Sequence, residues 1–475
     1  MDKTLRALLF HKTSIHILTI LILGFLVYSN TLTAPFEFDD KRTITDNPAI
    51  KGFRFFKNPS VLQEVDTYKE VKKFFESRYI GYLFFAVNYK IHGLDVAGYH
   101  IFNITVHILN ALLGYWLIIL TFRTPFFNGL QEHKNGNLIA FFSAFIFVVH
   151  PIQTQAVTYI SQRFASLATL FYLFSLIFYI KSRLMTVSGQ GNDQKTRYIK
   201  FTKWGYYYGS VISAVLAMKT KEISFTLPMM IALYEFMFLY GNIKKRLAYL
   251  TPILLTMLII PLTLMSVKAS LTGSGNIDEF ELLSSPVISR WDYLFTQFRV
   301  IVTYIRLLFL PINQNFDYDY LIYHSFFALP VLSSFLFLLS IVVFGIYLLY
   351  RSRRSVENKG YLRLMSFGIF WFFITLAVES SIIPRADVIF EHRLYLSSIG
   401  FIIAVIMLFL QAADAFAYRI RIIIPMLIIV VIAFSVAAYA RNAIWQDEVS
   451  LWKDTTDKSP NKVRTHYNLG AAYAK

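Results

Sequence analysis

Residues 421–440, RIIIPMLIIVVIAFSVAAYA, decide the fold class, because no charged residue follows Arg421 in this run. At 1.5 Å per residue, a helix of this length covers the roughly 30 Å of a bilayer's hydrocarbon core. Ten further apolar runs are as long or nearly so: 13–29, 100–122, 137–150, 164–181, 204–218, 223–240, 247–267, 326–350, 364–380 and 395–412. The sequence therefore predicts an all-α polytopic membrane protein with about eleven transmembrane helices.

The composition agrees with this prediction. The 475 residues are 56% hydrophobic and 16% charged, with a mean hydropathy of +0.50, which exceeds what one soluble core needs. The chain has no cysteine, which excludes disulfides, thiolate metal sites and a cysteine nucleophile. The absence of cysteine and the short C-terminal tail favour a bacterial inner membrane over the ER.

Positive charge is concentrated in alternate loops. The formal charge is +17, from 46 Lys and Arg against 29 Asp and Glu. With a cytoplasmic N-terminus, 21 basic and five acidic residues fall in the inside segments, which are 1–12, 123–136, 181–203, 241–246, 351–363 and 412–421. Because basic loops stay in the cytoplasm, the pattern predicts a cytoplasmic N-terminus and an outside C-terminus. The lipid bilayer explains the charge, and no nucleic-acid partner is predicted.

The first outer loop, about 30–99, opens with closely spaced acids. The stretch YSNTLTAPFEFDDKRTITDNPAI at 28–50 places Glu37, Asp39 and Asp40 just beyond the first helix. Two adjacent carboxylates do not both ionise cheaply at a dry site, so one can have a raised pKa that suits a general base. The alternatives are that the pair holds a cation, or that this is a solvated loop with a helix-capping Asp.

Two amphipathic stretches of the outer loops are predicted to lie along the membrane. The first, ESRYIGYLFFAVNYKIHG at 76–93, carries Arg78 near one end. In the second outer loop, about 268–325, Arg299 and Arg306 are seven residues apart and share one helix face. Two charges in mid-bilayer are costly, so an interfacial or re-entrant helix is predicted. This arginine pair suits a phosphate diester, and snorkelling to lipid headgroups is the alternative.

Three short outer turns carry further polar side chains. They are HPIQTQAVTYISQR at 150–163, TKE at 220–222 and ESSIIPRADVIFEHRLYL at 379–396. Their candidate site residues are His150, Gln153, Gln155, Arg163, Lys221, Glu222, Arg385, Glu391, His392 and Arg393. Each alone is more often a cap or an ion pair, but together they suit a lipid-linked phosphosugar and an acceptor hydroxyl. Two histidines among glutamines do not predict a metal site.

The chain is predicted to divide into a membrane domain, 1–440, and an outer tail, 441–475. Trp445 and Trp452 are seven residues apart, as in an amphipathic helix that starts at the interface. After the turn SPN at 459–461, the pattern is typical of the first helix of a tetratricopeptide repeat. Such a repeat has about 34 residues and needs stacked neighbours, so we expect either a fragment cut inside a repeat or a degenerate remnant, with protein contacts through this region.

Taken in order, these motifs resemble the transmembrane and tetratricopeptide-repeat-containing O-mannosyltransferases and their bacterial relatives. The resemblance rests on YSNTLTAPFEFDDKRTITDNPAI, HPIQTQAVTYISQR, TKEISFTLP, TQFRVIVTYIRLLFLPINQNFDYD, EHRLYLSSIGF and RNAIWQDEVSLWKDTTDKSPNKVRTHYNLG. It implies the GT-C glycosyltransferase fold, in which juxtamembrane loops enclose a cavity for a polyprenyl-phosphate sugar. It also implies inverting transfer of that sugar to a hydroxyl of an acceptor protein or glycan.

The resemblance assigns roles to several residues. An acid early in the first outer loop is the base in this family, which corresponds to Asp39 or Asp40. Basic residues of the later loops hold the lipid phosphate, and they correspond to Arg299, Arg306 and Arg393, followed by Lys221 and Arg163. No cofactor is implied, and a divalent cation is the alternative.

One turn departs from the family pattern. The family usually reads HPxHTEAV there, and this chain has Gln153 and Gln155 in place of the second His and the Glu. An acid–base or metal role of that turn is therefore not expected, although both glutamines can hydrogen-bond a sugar or a phosphate.

Three other functions fit parts of the sequence. A flippase or transporter of lipid-linked glycans would share the spans and the basic cavity, but it needs no carboxylate beside the phosphate. A lipid-linked glycan ligase or polymerase differs only in moving a whole chain instead of one sugar. A non-catalytic anchor for a repeat scaffold would not require the outer polar clusters.

Overall fold

The computed structural model describes residues 13–58, 75–130, 135–185, 194–272, 288–355, 358–415 and 420–475. These residues form helices joined by turns, with no strand among them. The predicted N-terminal inside segment 1–12, and parts 59–74 and 273–287 of the predicted outer loops, lie outside the described residues.

We number the described helices of more than ten residues in chain order. They are α1 Thr13–Tyr28, α2 Tyr79–His92, α3 Val96–Phe122, α4 Gly136–Val149, α5 Arg163–Leu184, α6 Gln194–Met218, α7 Leu227–Phe238, α8 Ile243–Leu255, α9 Ile259–Thr272, α10 Arg290–Phe309, α11 Leu329–Arg354, α12 Lys359–Leu376, α13 Leu394–Ala415, α14 Ile420–Ala443, α15 Glu448–Lys458 and α16 Val463–Tyr473. Shorter helices and helical turns are Ser29–Thr31, Lys41–Thr45, Pro48–Ile50, Arg54–Lys57, Pro125–Phe127, Pro151–Gln153, Thr154–Val157, Ile160–Gln162, Glu222–Thr226, Thr256–Leu258, Glu391–Arg393 and Ile444–Gln446.

All eleven predicted apolar runs fall on these helices, but fewer helices qualify as membrane spans. Seven described helices are long and apolar enough: Thr13–Thr31, Val96–Phe122, Ile160–Leu184, Ile243–Val267, Leu329–Arg354, Glu391–Ala412 and Ile422–Gln446. The pair Gly136–Val149 and Pro151–Val157, bent by 51°, makes an eighth if it is one span. The all-α, multi-pass membrane architecture is confirmed, whereas the predicted count of eleven is not.

The remaining three runs fall short for physical reasons. Helix α6 begins with QKTRYIKFTK, whose four basic residues shorten its apolar part. Helix α7 has 12 residues and therefore covers only about 18 Å. Helix α12 has 18 residues and carries Lys359 and Arg363 in its first two turns.

The interior of the helical layer is formed by buried faces of α3, α4, α5, α7, α12 and α13. The crossing of α12 and α13 is close, since a Cβ added at Gly368 would lie 2.4 Å from the carbonyl oxygen of Gly400. Small residues at such a crossing let the two backbones approach each other closely. The resulting van der Waals contacts hold the helices together in lipid, where the hydrophobic effect does not drive their association. This packing fixes the end of α12 and the start of α13, which are joined by the polar turn at 379–396.

The alternation of helices brings many loops to one end of the layer, which we call the site end. It comprises 29–58, 75–95, 150–162, 219–226, 288–328, 377–393 and 441–475. Side chains tie these loops together, as where Gln446 Nε2 donates to the carbonyl of Asn30 at 3.2 Å and Gln155 Nε2 donates to the carbonyl of Phe316 at 3.3 Å. The predicted outer loops that are described therefore meet in space.

Both predicted interfacial stretches are helical. Helix α2 covers most of 76–93, and α10 packs one face against the neighbouring helices and loops. The buried face of α10 includes Tyr293, Val300 and Tyr304. Neither helix is among the candidate spans, which agrees with the prediction that they lie along the membrane.

The chain ends in two antiparallel helices, α15 and α16, which we call the C-terminal pair. Their inner faces pack with Trp445, Trp452 and Phe316 in one apolar cluster. Because Phe316 belongs to the loop after α10, the pair is docked on the site end and does not stand apart from the membrane domain.

Candidate functional site

The turn after α1 carries three carboxyl groups, and we call residues 37–40 the acid turn. Asp40 is buried, and its Oδ2 accepts the backbone N–H of Glu37 at 3.1 Å. Its Oδ1 accepts the backbone N–H of Ser161 at 2.6 Å. Burial raises the pKa of Asp40 to about 7, although both hydrogen bonds act to lower it. Asp40 therefore ties the acid turn to the segment before α5.

Asp39 differs from Asp40 because it is accessible. Its side chain is 39% exposed, and Oδ1 lies 3.7 Å from the guanidinium of Arg42. The backbone N–H of Asp39 donates to the hydroxyl of Tyr159 at 2.9 Å. The preceding residue, Phe38, has φ of +43°, a left-handed conformation that is strained for a bulky side chain. The acid turn thus presents one carboxylate outward on a strained backbone.

Basic side chains gather beside α2 and the turns before α7 and α13. We call them the basic cluster: Arg78, Lys221, Arg385 and Arg393. Arg78 donates from Nε and Nη2 to the two carboxylate oxygens of Glu222, at 3.2 and 3.1 Å. Lys221 Nζ lies 3.1 Å from Oε1 of Glu379, and both side chains are buried. A glutamate thus accompanies each of two cations.

The two glutamates of the basic cluster stay ionised despite their burial. Burial alone would raise the pKa of Glu222, but Arg78 and Arg385 hold it at about 2. Burial would likewise raise the pKa of Glu379, and Lys221 and Arg385 hold it at about 2. Four cations therefore surround two carboxylates, which leaves positive charge available for an additional anion.

An apolar cavity of about 550 Å³ adjoins the basic cluster. Its walls come from α7, α9 and α12, with Met229, Leu264 and Ile374 among the lining side chains. Glu222 and Arg385 line its charged edge. A cavity with hydrocarbon walls and a cationic edge fits an amphiphile with an apolar tail and an anionic head.

Tyr82 of α2 connects the acid turn with the basic cluster. Its hydroxyl interacts electrostatically with Arg42 and Asp39, and also with Arg78 and Glu222. Burial raises the pKa of Tyr82 to about 12. An accessible carboxylate and a set of cations are thus within electrostatic range of one hydroxyl group. Base catalysis and binding of an anionic group are chemically compatible in such a place.

Relatives of this chain occur among animal proteins. Protein O-mannosyl-transferase F38B6.6 of Caenorhabditis elegans is 24% identical over 474 residues, which are 96% of this chain and 59% of the relative. Protein O-mannosyl-transferase TMTC2 of Homo sapiens is 30% identical over 232 residues, and that of Mus musculus 29% identical over 231 residues. Each TMTC2 alignment covers 47% of this chain and 24% of the relative. The chain is a relative of the protein O-mannosyl-transferases.

This relationship confirms the family resemblance of the sequence motifs. The chain spans 59% of the length of the Caenorhabditis relative and about a quarter of the TMTC2 proteins. No family model and no solved structure matches the chain, so the GT-C fold stays a prediction. The relatives named here are animal proteins and give the predicted bacterial membrane no support.

Arg393 and His392 are both held by neighbouring protein groups. Arg393 donates from Nη1 to the carbonyl of Val388 at 2.9 Å and from Nη2 to that of Asp387 at 2.7 Å. The backbone N–H of His392 donates to Oε1 of Gln155 at 2.8 Å, and its ring stacks on Phe390. In this protein O-mannosyl-transferase relative, both residues mainly shape the turn before α13.

Arg163 lies apart from the basic cluster that the structure assembles. It is fully buried, and it donates to Oδ1 of Asn103 at 2.6 Å and Oδ1 of Asn88 at 2.8 Å. The rings of Phe85 and Phe102 each lie 4.4 Å from its guanidinium carbon. These contacts enclose the guanidinium between α2, α3 and α5. We therefore leave Arg163 out of the proposed phosphate site.

Arg299 and Arg306 also lie away from the basic cluster. At about 100° per residue, they point some 120° or more away from the buried Tyr293 and Tyr304 on α10. Arg299 donates to Oγ of Ser334 at 3.2 Å, and Arg306 donates to the carbonyl of Ile312 at 3.0 Å. Arg393, by contrast, donates to the hydroxyl of Tyr293 on the other face. The sequence grouped these arginines, and α10 separates them.

The polar side chains of the 150–163 turn form hydrogen bonds to neighbouring helices and loops. His150 Nε2 lies 3.0 Å from the carbonyl of Leu308, and its Nδ1 accepts the backbone N–H of Ile152. Gln153 Nε2 donates to Oγ of Ser398 at 2.9 Å. Gln155 Nε2 donates to the carbonyl of Phe316 at 3.3 Å. These bonds support the site without reaching its cavity.

Glu391 anchors the loop that follows α10. Its Oε1 accepts the backbone N–H of Asn315 at 2.8 Å and the hydroxyl of Tyr318 at 2.6 Å. Its Oε2 accepts Nε2 of Gln314 at 2.7 Å. With every oxygen occupied by protein donors, Glu391 positions this loop.

The acid turn does not assemble a cation site with other ligands. Within the described ranges, no group of three or more His, Asp or Glu side chains could hold a metal ion. Both oxygens of Asp40 already accept backbone N–H groups. A divalent cation at these carboxylates therefore has no structural support.

Several residues of the site were missed by the sequence analysis. Tyr159 accepts a hydrogen bond from the acid turn, and Tyr82 lies within electrostatic range of Asp39 and Arg78. Nothing in the sequence distinguishes these two among its 30 tyrosines. Arg464 was interpreted only as part of a repeat, and it contacts Asp317 and Asp387 in two site-end loops. The one available signal was the basic pair KVR inside an otherwise helical repeat pattern.

Glu37 is expected to make the stability of the protein pH-dependent. It is buried, and among the described residues neither carboxylate oxygen has a hydrogen-bond partner. Burial, with the nearby carboxylates of Glu448 and Asp40, raises the pKa of Glu37 from 4.5 to about 8. The folded chain thus keeps a proton that the unfolded chain has lost, so stability falls as the pH rises between these values.

Glu37→Gln replaces the neutral acid by a neutral amide and removes this titration. At pH 5 the variant should have nearly the unfolding temperature of wild type. Its unfolding temperature should exceed that of wild type by an amount that grows up to about pH 8 and then stays constant. Thermal unfolding in detergent at pH 5, 7 and 9 measures the difference. A difference in unfolding temperature between variant and wild type that is the same at all three pH values would contradict the burial of an unpaired carboxyl group.

Proposed function

We propose that this chain is a membrane glycosyltransferase that moves a sugar from a polyprenyl phosphate to a hydroxyl of a protein or glycan. The observation that carries the proposal is the 550 Å³ apolar cavity whose charged edge includes Arg385. The accessible carboxylate of Asp39 and Arg78 of the basic cluster lie within electrostatic range of the same tyrosine, Tyr82. The apolar cavity can hold the polyprenyl tail, and the basic cluster can bind the phosphate. Asp39 can receive the proton of the acceptor hydroxyl.

Asp39 is the proposed base. Its carboxylate is 39% exposed, so an acceptor hydroxyl can reach it, whereas both oxygens of Asp40 accept backbone N–H groups. The base takes the hydroxyl proton while the acceptor oxygen forms a bond to the anomeric carbon. The bond from that carbon to the phosphate oxygen breaks, and the electron pair leaves with the polyprenyl phosphate. Attack from the opposite face inverts the anomeric configuration.

The basic cluster stabilises the leaving phosphate. Charge increases on the phosphate as the glycosidic bond breaks, and fixed cations in a water-poor site stabilise that charge without reorganisation. Arg385 lines the cavity, and Lys221 lies beside it with its partner Glu379. Arg393 and Arg78 add positive potential while holding their turns in place.

The acceptor is proposed to be a protein, and the sugar to be mannose. Both suggestions come from the names of the relatives, which are protein O-mannosyl-transferases. The site is proposed to face the outside or the lumen, because the loops with excess Lys and Arg belong to the opposite end of the helical layer. The N-terminus is then cytoplasmic, and the C-terminal pair lies on the side of the site.

Purified protein in liposomes tests the proposal with a panel of radiolabelled polyprenyl-phosphate sugars and a Ser/Thr-rich acceptor. Transfer is expected from a dolichyl- or undecaprenyl-phosphate sugar, with mannose preferred. The corresponding nucleotide sugar should give no transfer, because it lacks the tail that the cavity accommodates. Thermal unfolding of the same sample shows that the protein is folded.

The outcome also separates the rival functions. Movement of the lipid-linked sugar across the membrane without transfer would replace the proposal by a flippase. Transfer of preassembled glycans alone would indicate a ligase. A folded protein that is inactive with every donor would overturn the proposal.

A further inference from the structure

The strained residue of the acid turn is held by the C-terminal pair. Phe38, with φ of +43°, directly precedes Asp39. Its ring packs edge-on against Trp452 at 5.9 Å and Phe316 at 5.8 Å. The guanidinium carbon of Arg464 lies 5.3 Å from the ring centroid. A strained conformation persists only when its surroundings hold it, and two of these three contacts come from the C-terminal pair.

The same guanidinium binds two loops of the site end. Arg464 donates from Nε to Oδ2 of Asp317 at 2.6 Å and from Nη2 to Oδ1 of Asp317 at 2.5 Å. Nη2 also donates to Oδ1 of Asp387 at 2.6 Å. Lys462 Nζ adds a bond of 2.6 Å to Oδ1 of Asp317. A planar fork can make these bonds while its face covers a ring, which a lysine cannot do.

The loop with Asp387 leads directly to the basic cluster. Arg393 donates from Nη2 to the backbone carbonyl of Asp387 at 2.7 Å, while Arg464 binds the carboxylate of the same residue. Arg464 therefore contacts the residue before Asp39 on one side and the support of Arg393 on the other. One side chain of the C-terminal pair joins the two halves of the site.

The turn between α15 and α16 fixes where this arginine lies. Ser459 is buried, and its Oγ donates to the carbonyl of Asp317 at 2.8 Å. The same oxygen accepts Nδ2 of Asn315 at 2.8 Å and the backbone N–H of Asp319 at 2.9 Å. The Ser459 hydroxyl thus donates one hydrogen bond and accepts two, and all three attach the C-terminal pair to the loop after α10.

We infer that Arg464 is a positioning residue, through which the C-terminal pair holds the acid turn at a set distance from the loop that supports the basic cluster. The inference rests on the proposed function for its effect on turnover, but the distance can be measured without any activity. It makes the C-terminal pair part of the catalytic unit. Removing the guanidinium should let the acid turn relax, so that the base and the donor are misaligned.

Kinetics of the full chain test the effect on turnover. Because a misplacement of about 1 Å can cost up to ~100-fold, Arg464→Gln should lower kcat by roughly 10- to 100-fold and leave the donor KM nearly unchanged. Arg464→Lys should recover part of the loss, since it keeps the charge but not the planar fork. Lys453→Gln is the matched control, because it removes an exposed positive charge from α15 of the same C-terminal pair.

A double-mutant cycle shows whether Arg464 acts through Asp387. If it does, Arg464→Gln combined with Asp387→Asn should be little worse than Arg464→Gln alone. Additive losses would show that the two residues act separately, which would overturn this part of the inference.

Spin labels supply the readout that is independent of activity. The chain has no cysteine, so Asp46→Cys beside the acid turn and Ala386→Cys beside Asp387 can be labelled selectively. Electron–electron distance measurements should give a narrow distribution for wild type and Lys453→Gln, and a broader one for Arg464→Gln. A narrow distribution in Arg464→Gln would overturn the inference, whatever the activity. A wild type without transfer but with the expected broadening would overturn only the proposed function.

Discussion

Asp39→Asn should lower sugar transfer by roughly 10²- to 10⁴-fold, the range that a general base typically contributes. Asparagine keeps the size of the side chain but cannot accept a proton. Because the Asp39 carboxylate is half-exposed and bound only loosely by Arg42, its loss should hardly change the free energy of unfolding. Binding of the polyprenyl donor should also stay intact, since the basic cluster is unchanged.

The measurement compares initial rates of transfer, donor binding and thermal unfolding in the same liposomes. Asp46→Asn is the matched control, because this exposed acid lies seven residues on and removes the same charge. If Asp46→Asn is about as active as wild type and Asp39→Asn is nearly inactive, Asp39 is identified as the base. Full activity of Asp39→Asn would exclude it.

Asp40→Asn should behave differently from Asp39→Asn. Each oxygen of Asp40 accepts a buried backbone N–H, from Glu37 and from Ser161. An amide offers one acceptor and turns its NH₂ towards the other donor, which costs about 1–3 kcal/mol of stability for the unpaired group. Activity and unfolding temperature should therefore fall together. An inactive but fully stable Asp40→Asn would make Asp40 the base instead.

The helices were predictable because apolar runs of about 20 residues have few alternatives in lipid. The number of spans was less predictable, because charged residues at the end of an apolar helix can leave too short an apolar part to cross the membrane. Helix α6 starts among basic residues, and α7 is 12 residues long. Runs of apolar residues show that a helix forms, but they do not show whether neighbouring helices shelter it from lipid.

The candidate site was predictable in its location and less so in its membership. Grouping the outer loops brought Asp39, Lys221 and Arg385 to one end of the layer, as the structure has them. Arg163 is bound by Asn103 and Asn88, which are 60 and 75 residues away in the sequence. No local pattern indicates that such partners enclose a charge. Tertiary packing alone decides which arginines remain available to a ligand.

Arg385→Gln should raise the KM for the polyprenyl-phosphate donor by roughly 10- to 100-fold, because a charge-assisted hydrogen bond contributes about 1.5–3 kcal/mol. Arg385 lines the edge of the apolar cavity and helps to keep both Glu222 and Glu379 ionised. Its loss removes one positive charge from the place where the phosphate is proposed to bind. Arg385→Lys should give an intermediate KM, since the charge remains and the fork geometry is lost.

Arg299→Gln is the matched control for Arg385→Gln, and it also tests the original grouping of the arginines. Arg299 donates to Ser334 on the far side of α10, so its removal should leave the donor KM close to wild type. Donor titrations of both variants in the transfer assay give the two KM values. If Arg299→Gln raised KM and Arg385→Gln did not, the phosphate would bind at the α10 arginines that the sequence singled out. The apolar cavity beside Arg385 would then hold some other hydrocarbon chain, and the tail of the donor would have to lie against the opposite face of α10.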